Sequence, residues 1–146
     1  MNKFSVLRYH VLPRWEGDDI YGVTDLAVPA VDSVPLFEIL GDRWPGVAAE
    51  WVLPPAEHWL GSPAREKFGK PVVLDGSCGE AECCGVFARI SFEADTVVWD
   101  QFDSPGAPDL PDGLRFEFAR KDYVAQLREI ATVEPIEWVE TDESAY

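Results

Sequence analysis

The chain has 146 residues, 47% of them apolar, with six Trp, eight Phe and four Tyr, enough for one domain that buries roughly two thirds of its unfolded surface around an aromatic-rich core. Its 27 acids against 12 Lys and Arg give a net charge of −15, a field that repels phosphate backbones and anionic lipid headgroups and argues against nucleic acid and membranes as partners. No run approaches the roughly eighteen apolar residues of a membrane span, the start Met1-Asn2-Lys3-Phe4-Ser5 lacks a basic segment followed by a long apolar one, and an odd cysteine count suits a reducing compartment, so a cytoplasmic protein is expected.

No internal repeat or low-complexity stretch is present, and residues 1–146 read as a single domain. Phe4 to Leu12, closed by Pro13, reads as a strand, and Ile20 to Val28 as a second. Asp32 or Ser33 would cap a short helix, with Pro35 in its first turn, Leu36, Phe37, Ile39 and Leu40 on its apolar face and Gly41 as its stop. Asp42 to Lys70, rich in Pro and Trp, reads as a packed irregular excursion with at most a short helix from Pro55 to Leu60. Pro71 to Leu74 is a short apolar strand and Cys84 to Phe92 a longer one. On the latter, Cys84, Val86, Ala88, Ile90 and Phe92 share one face, and Cys83, Phe87, Arg89 and Ser91 the other.

Thr96 to Phe102 returns as the partner of that strand. With Ala94 and Asp95 as the turn, Phe92 meets Val97, Ile90 meets Trp99, Arg89 meets Asp100 and Phe87 meets Phe102, pairs worth about 0.2–1 kcal/mol each. A one-residue slip would set Arg89 against Trp99. Ser104 to Gly113 is a loop, and Leu114 to Phe118 a further strand. A helix begins near Arg120, with Tyr123, Val124, Leu127 and Ile130 as one apolar stripe on a charged cylinder. Ile136, Trp138 and Val139 form a last strand, and the acidic end, Thr141 to Tyr146, frays. The fold class expected is α+β, a mainly antiparallel sheet with a C-terminal amphipathic helix packed on one face.

Reactive side chains cluster in one place. Cys78, Cys83 and Cys84 lie within seven residues of the glycine- and acid-rich stretch from Asp75 to Gly85. Strand alternation turns Cys84 toward the core and leaves Cys78 and Cys83 as the pair able to act together. Four residues separate those two, a spacing that admits zinc if Cys84 swings round and His58 or Asp75 completes a tetrahedron. A Cys78–Cys83 disulfide is geometrically easier, since Gly76, Gly79 and Gly85 allow the α-carbons within about 6 Å. A cysteine nucleophile would need His58 or His10 beside it. Asp75, Glu80 and Glu82 raise thiol pKa rather than lower it, which opposes a reactive thiolate. In the remaining reading, the glycines make tight turns, the cysteines are small buried hydrophobes and His58 is a hydrogen-bonded packing residue.

Val73-Leu74, Cys78-Gly79-Glu80, Cys83, Val86 to Ile90, Thr96-Val97-Val98-Trp99 and Phe116-Glu117-Phe118 before Tyr123 together resemble a family of uncharacterised, mainly actinobacterial proteins with a Cys-x-Cys-Gly-x-x-Gly-Cys-Trp loop. The resemblance spans about residues 56 to 130, His58 included. Gly76 stands where the family's first cysteine falls, Glu82 at its second glycine, Cys84 at its tryptophan and Ala119 at the aspartate opening its helix. It implies a fold grouping and no reaction.

Charge is uneven along the chain. Residues 1–70 carry ten acids against seven bases, and residues 71–146 carry seventeen against five, with no base after Arg128. A basic protein partner would be drawn to the second half. The function expected is a non-enzymatic acidic interaction module, immunity- or antitoxin-like, without a cofactor. The alternative is a thiol-redox or zinc protein working through Cys78 and Cys83.

Overall fold

The computed structural model describes residues 1–11, 25–40, 46–74, 85–104, 110–111 and 113–138. Strand β1 (Phe4–Val11) turns Phe4 and Val6 inward. It pairs antiparallel with β2 (Asp25–Val31), whose six apolar residues from Leu26 to Val31 are all buried. An unbroken apolar run of this length marks a strand covered on both faces. The strand expected over Ile20 to Val28 has its first five residues outside the described ones and does not end at Val28. The strand instead runs through Pro29, which faces Val6 of β1. On its other side Pro29 falls between two short partners, β4 (Val47–Ala48) on Leu26 and Ala27, and β3 (Val34–Pro35) on Ala30 and Val31. A residue without an N–H is tolerated at such a step in the ladder.

Asp32 and Ser33 do not cap a helix. Both have positive φ, 52° and 70°, and form the two-residue hairpin turn between β2 and β3, a conformation whose twist suits paired strands. Asp32 is held there by its own backbone N–H, which donates to Lys3 O at 2.8 Å, while its carboxylate accepts from Lys3 N–H at 2.7 Å and from Asn2 Nδ2 at 2.9 Å. The expected helix follows directly as α1 (Leu36–Leu40), with Leu36 and Leu40 buried; its expected stop, Gly41, lies outside the described residues. Gly46, with φ +145°, lies so close to β2 that a Cβ there would sit 2.7 Å from Ala27 O and 2.8 Å from Val28 Cγ2.

After β4 a 3₁₀ turn (Ala49–Trp51) leads into irregular chain, where the short helix from Pro55 to Leu60 is replaced by turns closed by Leu60 N–H and Ser62 N–H on Glu57 O. A second sheet then forms in simple antiparallel order: β5 (Glu66–Lys67), β6 (Lys70–Leu74), β7 (Val86–Phe92), β8 (Thr96–Asp103) and β9 (Arg115–Ala119). Phe92 faces Val97, Ile90 faces Trp99 and Arg89 faces Asp100, as the charge and aromatic pattern requires. The fourth expected pair is corrected, because Phe87 faces Asp103 rather than Phe102. One extra residue on β8 makes a bulge there, with Gln101 at φ 52°. A bulge shifts the alternation of everything beyond it. Phe102 accordingly crosses to the Trp99 side, its ring 5.7 Å from Phe116 and edge-on.

The C-terminal helix α2 (Arg120–Arg128) packs against β1, β8 and β9, burying Tyr123 and Leu127, with Ile130 buried just beyond and Val124 partly covered. Its start is tied to the β7–β8 turn by Arg120 N–H on Asp95 O and Arg120 Nη1 on Glu93 O. Strand β10 (Ile136–Trp138) then returns to lie parallel to β1, and Arg8 Nη1 reaches Val133 O on the way. Asn2 bridges to Phe118, joining the first sheet to the free side of β9. The architecture is α+β, built from mainly antiparallel sheets with a C-terminal helix against them. Among the described residues no helix is long and apolar enough to cross a membrane.

Candidate functional site

His58 is the sequence-selected candidate that the structure places, and it lies in the interior, 1% exposed. It sits where the irregular segment docks on β6. Its Nδ1 accepts from Ala64 N–H at 2.8 Å and its Nε2 lies 2.7 Å from Val72 O. An imidazole that accepts at Nδ1 and faces a carbonyl at Nε2 is the neutral tautomer with its proton on Nε2. Burial holds its pKa at about 4 instead of 6.5, against the opposing pull of the Val72 hydrogen bond. Both nitrogens are thus engaged, and ligating a metal would require surrendering one of these bonds. His10 lies apart from it on β1, exposed, opposite Asp25 and Glu137.

Val72 O accepts a second donor, Trp59 Nε1–H at 3.1 Å. Trp59 O in turn accepts from the Tyr123 hydroxyl, and that hydroxyl accepts from Trp99 Nε1 at 3.3 Å. Around this chain the rings interlock: Phe4 with Tyr123 at 4.5 Å, Phe4 with Phe118 at 5.1 Å, and Trp59 with Trp99 at 5.6 Å. Burial pushes the Tyr123 phenol far above its ordinary pKa. Such a phenol stays protonated and works as a bridge between the docked segment, β8 and α2. The Glu57-His58-Trp59 stretch is therefore a latch in which the ring nitrogens of His58 and Trp59 are satisfied by backbone partners and Trp59 O by the Tyr123 hydroxyl.

Cys78, Cys83 and Cys84, with Asp75, Glu80 and Glu82, lie outside the described residues. The residues bounding them are fixed: Leu74 ends β6 fully buried, and Gly85 O accepts from the buried Ser104 hydroxyl at 2.9 Å. Among the described residues no group of three or more His, Cys, Asp or Glu is placed to hold a metal ion.

Two features were not singled out from the sequence. At the far end of β8 the bulge opens a cavity of about 450 Å³ lined by Asp100, Gln101, Asp103, Leu110, Leu114 and Arg115, among others. Its charges are largely answered locally, since Arg89 grips Asp100 through two bonds of 2.9 and 2.8 Å and Lys70 lies 4.0 Å from Asp103. The other is the tip of the β5–β6 hairpin, where Phe68 stands 70% exposed at φ 58°. Comparisons with protein-family models, with curated proteins and with solved structures find no match for the chain.

Proposed function

We propose that this chain is a non-enzymatic, cytoplasmic interaction module whose acidic second half meets a basic protein partner, in the manner of an immunity protein or antitoxin. The observation that carries this reading is the excess of seventeen acids over five bases in residues 71–146. Four of those five bases are already engaged. Arg89 holds Asp100, Arg115 holds Glu117 at 3.1 Å, Arg120 binds Glu93 O and lies 5.5 Å from the Phe92 ring, and Arg128 lies 4.0 Å from Glu57. Glu93, Asp95, Asp122, Glu129 and Glu134 remain on the surface around them. A surface of that sign accelerates encounter with a cationic partner, and the effect fades as salt screens it.

The reading is tested by affinity capture from lysate at about 50 mM and about 500 mM salt, a range over which the Debye length shrinks severalfold. Basic proteins should be retained at low salt and released at high salt, and a variant with Asp122, Glu129 and Glu134 changed to Asn or Gln should retain less. A bound set without basic proteins, or one indifferent to salt and to these substitutions, would overturn it.

A further inference from the structure

The β5–β6 hairpin breaks three local rules at once. Its two turn residues, Phe68 and Gly69, have φ of 58° and 74°. Glycine adopts that conformation freely, whereas a bulky aromatic side chain is a rare occupant. The Phe68 ring is 70% exposed, so no burial offsets the strain. Lys67 and Lys70 face each other directly across the hairpin, a like-charge pairing that weakens a ladder. Arg65, Lys67 and Lys70 bring three of the chain's 12 cations into six residues that hold one acid, Glu66, in a protein of opposite sign. Lys67 Nζ lies 5.3 Å from the Phe68 ring centre, which steadies the ring as a presented face. Arg65 also lies 5.7 Å from the Trp51 ring centre and Lys70 4.0 Å from Asp103, so the choice left without a local return is the strained, exposed Phe68, and a residue of that kind marks a site under selection for something else.

We propose that this hairpin tip is a docking knuckle for an acidic, amphipathic segment of a partner protein, its aliphatic or aromatic side chains packing on the Phe68 ring and its carboxylates meeting Lys67 and Arg65. The charge of −15 bears on the size of that partner. A short acidic segment feels mainly the nearby cations, while an extensive anionic surface, a second copy of this chain or an anionic membrane included, is repelled by the rest of the molecule. The proposal does not rest on the charge of the acidic second half, although Lys70 lies 4.0 Å from Asp103 of that half.

The probe is a phage-displayed library of random dodecapeptides selected on the immobilised protein, with synthetic labelled winners titrated by fluorescence polarisation. Winners should carry Asp or Glu beside Leu, Ile or Trp, and lose about tenfold or more in affinity for Phe68→Gly, the loss typical of an aromatic anchor. Lys67→Glu should weaken them as well. Phe68→Gly should meanwhile melt about 2–4 °C higher, which shows that the lost binding is not lost folding. Winners that bind Phe68→Gly equally, or no winners at all, would overturn the proposal. Exclusively basic winners would overturn it too while favouring the acidic-half reading. A Phe68-dependent dimer in sedimentation velocity, or Phe68-dependent flotation with phosphatidylserine vesicles, would assign the knuckle to another occupant and reject this one.

Discussion

The two ends of the chain's docking against β6 follow opposite rules. At Val72, deep in the strand, His58 and Trp59 converge on one carbonyl, and each side-chain nitrogen of the two rings has a partner. A few residues away, at the tip leading into the same strand, Phe68 stands in a strained turn in water. The first region is organised for stability, so changing it should lower stability. The second is organised against stability, so changing it should raise stability. The difference teaches that unusual residues here must be sorted by what surrounds them, since a buried histidine is the ordinary one and an exposed phenylalanine the exceptional one.

The contrast is open to attack at several points. Trp59→Ala removes a fully buried ring and its bond to Val72 O, and should cost about 3–5 kcal/mol in urea unfolding; a cost below about 1 kcal/mol would mean the latch does not hold the segment. Next in size is pH. His58 is neutral in the fold with its pKa at about 4, against 6.5 for the ordinary group, so the unfolded chain takes up the proton first. Its contribution is whole above about pH 6.5 and is lost as pH falls toward 4, about 3 kcal/mol in all. Unfolding curves between these limits should show that slope in the native chain and a flatter one in His58→Gln, and equal slopes would remove His58 from the account.

Tyr123→Phe keeps the ring but strips partners from Trp59 O and Trp99 Nε1, a loss of about 2 kcal/mol by unfolding. Smallest is Phe68→Gly, expected to gain about 0.5–1 kcal/mol because glycine takes positive φ without strain. A measured loss there would place Phe68 with the latch and dissolve the contrast.

Much of the fold was legible because its signals are local and redundant. The β7–β8 register could be read from Arg89 against Asp100 and Ile90 against Trp99, and α2 from the spacing of Tyr123, Leu127 and Ile130. The bulge at Gln101 was not legible, since the usual marker of a residue at positive φ is glycine and none is present. Asp32 and Ser33 misled for a physical reason: their short polar side chains serve a helix N-cap and a left-handed turn equally well, and the deciding contacts come from Asn2 and Lys3. Strands of two residues, β3, β4 and β5, are too short to carry any periodicity. His58 was legible as a packing residue from its Trp neighbour, but its docking on β6 depends on a register no sequence pattern states. Phe68 escaped notice because Phe-Gly is not a turn signature, and its meaning comes from exposure.

The parallel pairing of β1 with β10 joins residues about as far apart in the chain as the fold allows: Tyr9 lies beside Ile136 and Val11 beside Trp138. On a ribosome, the edge of β1 that faces β10 must wait until residues 12–138 have been made. At bacterial or eukaryotic synthesis rates that interval is on the order of ten seconds. During it the nascent chain carries an open strand edge that other chains can pair with. Completion of this sheet therefore comes long after β1 itself has been made, and crowded synthesis is where mispairing of this protein is expected to arise.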